Sequence, residues 1–188
     1  MNAIRLEWAA LALSVAAVQV PAQAQRFTLS SPVIRRGGEL PSAQVNDANG
    51  CEGGNLSPEL RWHGVPAGTR SFAVTFYDRD APTGSGWWHW VVFNLPANEA
   101  GLAAGAGASS GAKLPPGAVQ SRTDFGVPGF GGACPPRGAK PHRYVFTVHA
   151  LRVQALHAGP DATPAQVGYL LHLNELARAR LEARSGRP

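Results

Sequence analysis

Hydrophobic and polar positions alternate along several short stretches of the chain, each bounded by glycine and proline, which is the pattern of half-buried strands. In residues 71–78 (SFAVTFYD), Phe72, Val74 and Phe76 fall on one face and Ala73, Thr75 and Tyr77 on the other. Residues 143–153 (RYVFTVHALRV) repeat the pattern, with Tyr144, Phe146, Val148 and Ala150 on one side, and residues 60–63 between Pro58 and Pro66 make a shorter strand. Residues 87–95 (WWHWVVFNL) are apolar on both faces, as expected of a central strand, with Trp87 and His89 on one face and Trp88 and Trp90 on the other. Turn clusters at Asn49-Gly50, at Gly53-Gly54-Asn55, in residues 82–86 and in residues 126–132 separate these runs. Successive strands with little helix between them predict an antiparallel sheet or sandwich.

Helical spacing shows clearly near the C-terminus. Thr163 offers a capping hydroxyl, Pro164 suits the first helical position, and Val167, Leu170, Leu171 and Asn174 recur on one face. The stretch after Glu175 (LARARLEAR) fits either more helix or a final edge strand. Residues 100–112 (AGLAAGAGASSGA) read as a loop, because each glycine costs about 1 kcal/mol in a helix interior. At the other end, Arg5 precedes an uncharged apolar run, residues 9–20, then Pro21 and a small-x-small site at Ala22-Gln23-Ala24. That order reads as a secretory signal peptide over residues 1–24, leaving residues 25–188 as one exported domain, periplasmic or secreted. No later stretch is long and apolar enough to span a bilayer.

Composition sharpens this reading. The chain has 188 residues, 44% hydrophobic and 15% charged, a balance that excludes disorder and fits a single domain. With 22 Gly and 16 Pro it must be rich in turns. The formal net charge of +5 invites a nucleic-acid reading, but no basic run with interleaved aromatics occurs. Arg178, Arg180, Arg184 and Arg187 read instead as a solvated basic tail, with Arg35-Arg36 an isolated pair. The 2 cysteines are too few for a four-thiolate metal site.

Candidate chemistry gathers at the ends of strands. Asp78 and Asp80, being i and i+2 on a strand, point to the same side and repel unless a cation, donor or water lies between them. If residues 71–78 and 87–95 pair through their short connection, His89 approaches these carboxylates. His142 and Tyr144 form a second i, i+2 pair. The bland alternatives are turn chemistry for the aspartates, a structural hydrogen bond for each histidine, and core or pocket wall for the tryptophans. His63, His149, His157 and His172 are assigned to the structural class.

At these residues the chain resembles the phosphatidylethanolamine-binding protein family, in its bacterial Raf-kinase-inhibitor-like branch. The resemblance rests on YDRDAPTGSGWWHWVVFNLP (residues 77–96) and GFGGACPPRGAKPHRYVFTVHAL (residues 129–151). GCEGGNLSPELRWHGVP (residues 50–66) and KLPPGAVQSRTDFG (residues 113–126) support it. It implies a mostly β fold, a β-sandwich with a few short helices, one near the C-terminus, and a small anion pocket at the sheet end. Carried across, that pocket falls on Asp78, Trp87, His89, Pro136, His142 and Tyr144, with Asp80 beside them and Cys134 and Pro135 on the rim. The family usually has Asp-Pro-Asp where this chain has Asp78-Arg79-Asp80, which removes the proline that stiffens the turn.

The chemistry of such a pocket follows from its side chains. A carboxylate that accepts from one imidazole nitrogen favours the protonated ring and leaves the other N–H to donate to an anion. Two histidines and a tyrosine can thus hold a phosphate-like anion or a phospholipid headgroup without lysine, while Trp87 walls the rest of the ligand. The expected function is binding rather than catalysis, with no cofactor and no nucleic-acid partner, in a monomer or homodimer. Two other readings remain: a protein-interaction module that inhibits a protease or kinase, and a metal-dependent hydrolase using the Asp/His cluster. Against the hydrolase, the chain lacks HExxH, a G-x-S-x-G elbow and a phosphate-cradling glycine loop. In an oxidising compartment Cys51 and Cys134, both in glycine-rich loops, can pair; two free thiols are the alternative.

Overall fold

The computed structural model describes residues 25–187, so the signal-peptide reading of residues 1–24 lies outside the described residues. Eight strands and one α-helix follow in the order β1 (Thr28–Ser30), β2 (Leu60–His63), β3 (Ser71–Asp78), β4 (Trp87–Pro96), β5 (Gly101–Leu102), β6 (Val119–Gln120), β7 (His142–Leu151), α1 (Pro164–Asn174) and β8 (Glu175–Ser185). A short 3-10 turn occupies Ser42–Gln44. The strands form a three-stranded sheet in the order β1-β2-β5 and a five-stranded sheet in the order β6-β4-β3-β7-β8. All named pairings are antiparallel.

The alternation in the sequence explains the layers. Phe72, Val74 and Phe76 of β3 meet Leu29, Leu60, Trp62 and Leu102 of the smaller sheet in one core, and Phe146 and Val148 of β7 join them. The opposite face of β3 and β4 carries Ala73, Val91 and Phe93, which pack under Val167 and Leu171 of α1. Strand β3 lies at the middle of its sheet and is buried on both faces over nearly its whole length.

The helix starts where its cap predicts. Thr163 Oγ1 accepts from the Gln166 N–H at 3.2 Å while the Gln166 side chain accepts from the Thr163 N–H at 2.8 Å, a reciprocal capping box. Glu175 ends the helix and begins β8 without an intervening loop. The ambiguous stretch is therefore an edge strand. Ala179, Leu181 and Ala183 point inward and Arg178, Arg180 and Arg184 outward, a period of two that a helix cannot use. The basic residues expected in a solvated tail thus stand mainly on a paired strand. Residues 100–112 form no helix, yet they are not a free loop: Gly107 lies so close to Phe130 that an added Cβ would sit 2.5 Å from the Phe130 Cβ.

Cys51 and Cys134 form a disulfide with Cα atoms 5.9 Å apart, tying together positions 83 residues apart in sequence. No helix among the described residues is long and apolar enough to cross a membrane.

Candidate functional site

Cross-strand register arranges the inward face of the large sheet into rows. One row runs Trp90, Phe76, Phe146, Leu181 and belongs wholly to the core. The next row runs Trp87, Asp78, Tyr144, Ala183, and beyond it His142 stands opposite Ser185. The polar groups thus begin one step past the last aromatic layer, at the end of the sandwich. Three of them, Asp78, His142 and Tyr144, are buried.

The pairing of β3 with β4 slips by one residue at this point. Trp87 faces Asp78, Trp88 faces Tyr77 and Trp90 faces Phe76, so His89 has no cross-strand partner. Such a bulge re-aims side chains. The His89 ring lies 5.2 Å from Phe76 and 5.3 Å from Tyr144, on the inward face. The bulge also overturns the expectation that Trp88 and Trp90 share a face. Trp88 lies tilted against Tyr77 at 4.6 Å on the helix side, while Trp90 enters the sandwich core and donates to Gln120 Oε1 at 2.6 Å. Trp87 and His89 stay together, each edge-on to Phe125 at 5.5 and 5.2 Å.

The two histidines are held alike but by different partners. His142 Nδ1 donates to Asp78 Oδ2 at 2.7 Å, both groups nearly out of solvent. His89 Nδ1 donates to the Gly131 carbonyl at 2.8 Å rather than to a carboxylate. A carbonyl can only accept, so the proton of the neutral His89 ring sits on Nδ1 and Nε2 is left as an acceptor. Burial pushes the His89 pKa down to about 4, against the smaller upward pull of its carbonyl bond and of Asp78. The Tyr144 ring lies 5.3 Å from His89 and 6.4 Å from His142, and its hydroxyl is buried without a hydrogen-bond partner. Burial drives its pKa far up, and Asp78, close but outside hydrogen-bonding geometry, adds to the shift.

Asp80 turns away from this group. Its carboxylate takes Arg143 Nη2 at 2.6 Å, Arg143 Nε at 2.9 Å and the Arg143 backbone N–H at 2.8 Å. The side-chain bonds from Arg143 hold Asp80 well below the usual carboxylate range. Asp80 N–H in turn donates to Asp78 Oδ1 at 2.9 Å, and Arg79 N–H donates to the Arg143 carbonyl at 3.0 Å. The turn that lacks the family's proline is thus braced by Arg143, and Asp78 reaches His142 from a fixed base. His89 hydrogen-bonds neither carboxylate, since Asp78 serves His142 and Asp80 serves Arg143, though Asp78 is near enough to pull on the His89 ring.

Loops from elsewhere in the chain close the wall. Gly131 both donates to the His89 carbonyl at 2.9 Å and accepts from the His89 ring, and a Cβ there would lie 2.3 Å from the Phe125 ring. Asn55 Oδ1 accepts from the Gly132 N–H at 2.7 Å. Pro135 is buried and Pro136 exposed, beside the Cys51–Cys134 bridge. Arg187 Nη2 donates to the Gly50 carbonyl at 2.9 Å and so fastens the chain end over the same loop. Phe125, Gly131, Asn55 and Arg143 escape a reading of the sequence because each acts across long separations. Their one signal is position inside the conspicuous stretches at residues 50–66, 113–126 and 129–151. Among the described residues no group of three or more His, Cys, Asp or Glu side chains is placed to hold a metal ion.

Comparison with known proteins completes the description. The family model for phosphatidylethanolamine-binding protein matches residues 30–186. The Escherichia coli protein YbcL is 52% identical over 167 residues, covering 89% of this chain and 91% of its own, and YbhB of the same organism is 50% identical over 155 residues, covering 82% and 97%. LppC of Mycobacterium tuberculosis, which bears a lipoprotein name, is 33% identical over 158 residues, covering 84% and 71%. The crystal structure of E. coli YbcL, described as a new member of the mammalian PEBP family, superposes with a TM-score of 0.85 at 51% identity, covering 86% of this chain and 99% of that one. With the sandwich, the sheet-end histidines and these matches in agreement, the chain belongs to the phosphatidylethanolamine-binding protein family.

Proposed function

We propose that the protein is exported and binds a small phosphate-like anion, free or as part of a phospholipid headgroup, at the cluster of His89, His142 and Tyr144, without catalysing a reaction. The observation that carries this reading is the buried, unpartnered hydroxyl of Tyr144, whose ring neighbours two imidazoles with both Nδ1 atoms already engaged. Unpaired buried hydroxyls cost about 1–3 kcal/mol, and a bound oxyanion relieves that cost. Trp87 and Phe125 give an apolar wall for whatever the anion is attached to. Binding is favoured over catalysis because the one hydroxyl beside the rings, that of Tyr144, is hydrogen-bonded by neither histidine and has its pKa driven far up by burial, so no activated nucleophile is present among these groups. Export is supported by the N-terminal pattern and by the Cys51–Cys134 disulfide, which persists in an oxidising compartment.

The tautomer of His89 gives the binding a pH dependence. With Nε2 an acceptor, the neutral ring repels a bare dianion but accepts a proton from a P–OH group; once protonated, it donates to any phosphate oxygen. An anion that favours the charged ring raises the His89 pKa from about 4, so binding takes up a proton. Titration calorimetry with phosphate and with phosphorylethanolamine between pH 5 and 8 tests this. Affinity should rise as pH falls, by up to about tenfold per pH unit for one linked proton, and His89→Ala should flatten the slope. Wild-type protein that binds neither ligand at any pH, or a His89→Ala variant that binds as well as wild type, overturns the reading.

A further inference from the structure

A second cluster of charge lies on the flank of the sandwich, where β1 packs beside β8. Residues 37–40 run along the free edge of β8, but only over its last part. Gly37 N–H donates to the Glu182 carbonyl at 2.7 Å, Arg184 N–H to the Gly38 carbonyl at 2.8 Å, and Leu40 N–H to the Arg184 carbonyl at 2.7 Å. By the same alternation Arg180 and Arg178 turn their backbone groups outward, and there β8 is the sheet's open edge. At that uncovered stretch a cavity of about 530 Å³ opens, lined by Arg26, Arg36, Arg178 and Arg180, with Leu29 and Ala179 at its base.

The charges in this cavity are poorly compensated from within. Among the described residues Arg26, Arg36 and Arg180 form no ion pair with a carboxylate. Arg36 reaches only the Leu29 carbonyl at 3.4 Å, and Arg178 shares Glu175 with His149. No aspartate or glutamate lines the cavity. Four arginines line one concavity with no carboxylate among its lining, so their like charges add up to a positive potential there. The arrangement is relieved by an anion that brings more than one negative charge and several acceptor oxygens.

We infer that this groove is a second anion site, which takes a phosphate-class group carrying two or more charges, such as a diphosphate or a phosphorylated headgroup. Planar guanidinium forks match phosphate oxygens two at a time, which a cluster of lysines does not. The volume falls within the usual range for small-ligand sites and exceeds what one phosphate fills. Leu29 and Ala179 belong to paired strands, so the floor of the groove is rigid even where the arginine side chains move. Arg180 lies five residues from Ser185, the partner of His142, a separation of roughly 16 Å along β8. The two sites are distinct and neither depends on the other.

The test uses pyrophosphate as the soluble probe and anionic phosphatidylglycerol vesicles as the lipid probe, against wild type, Arg36→Gln/Arg180→Gln and His89→Ala/His142→Ala. All four groove arginines are exposed, so the Arg36→Gln/Arg180→Gln double variant should melt as wild type does. Expected is a pyrophosphate or vesicle affinity that falls at least about tenfold in Arg36→Gln/Arg180→Gln, survives in His89→Ala/His142→Ala, and weakens as salt is raised past about 0.1 M. Loss confined to pyrophosphate marks a soluble phosphate compound as the source; loss confined to vesicles marks a lipid headgroup. Binding unchanged by Arg36→Gln/Arg180→Gln, or absent from wild type with both probes, overturns the inference. Loss in His89→Ala/His142→Ala alone also overturns it while leaving the histidine pocket standing.

Discussion

Tyr144 and His89 are each held in a state that a packed core would not choose. The hydroxyl of Tyr144 is buried without a partner, so Tyr144→Phe should leave the melting temperature unchanged or raise it while weakening phosphate binding, a pair of outcomes that a purely structural tyrosine would not produce. His89 is buried as the neutral ring and takes up a proton only near about pH 4, whereas in the unfolded chain it does so near 6.5. Across that window the unfolded state binds the extra proton, and stability therefore falls as pH falls from 6.5 to about 4. His149 shares this sign, since burial lowers its pKa despite Glu175 beside it. Chemical denaturation at pH 7 and pH 4.5 should show a loss of about 2–3 kcal/mol from His89 alone, removed in His89→Asn. Saturating phosphate at low pH should offset part of the loss, because it binds only the folded form.

At the scale of elements, the site is made by one bulge and one loop meeting one strand end. The loop carries Gly131, whose missing side chain admits Phe125 against both Trp87 and His89. Gly131→Ala should displace that ring, destabilise the fold by about 1–3 kcal/mol and weaken anion binding, read by urea denaturation and calorimetry on the same preparation. Strands β2, β3, β4 and β7 were legible in the sequence to within about a residue or two at each end, because alternation against a buried face leaves one register. The bulge at His89 was not legible. Residues 87–95 are apolar on both faces, so a slip of one residue changes no polarity that the pattern could report. Strand β8 was half legible, since its alternating Ala and Arg suit a strand while their intrinsic preference suits a helix; pairing with β7 decides it. The histidines and Asp78 were visible as chemistry, but Arg143 as the brace of Asp80 and Gly131 as the partner of His89 arise only when distant segments meet.

Across the whole molecule, the disulfide and the last strand secure the same corner. The bridge joins the Cys51 loop to the loop that carries Pro135 and Pro136, and Arg187 crosses from beyond β8 to the Asn49 and Gly50 carbonyls beside it. Replacing both cysteines by serine should lower stability by about 2–5 kcal/mol in urea titration and weaken anion binding. The smaller dependence of a reduced wild-type sample on the added anion would be read from the same titration. The closure of residues 37–40 onto Glu182 and Arg184 carries a further consequence, one of time rather than energy. A ribosome delivers this chain from its N-terminus, and the segment near residue 38 waits roughly 145 residues for the strand it must pair with. At about 5–20 residues per second that is a delay of several seconds or more. Throughout it, the smaller sheet lacks its neighbour and the large sheet its edge. These closing contacts are among the longest in sequence, so folding should be slow for its size, and the growing chain remains open to carriers that handle unfolded polypeptide until strand β8 has been made.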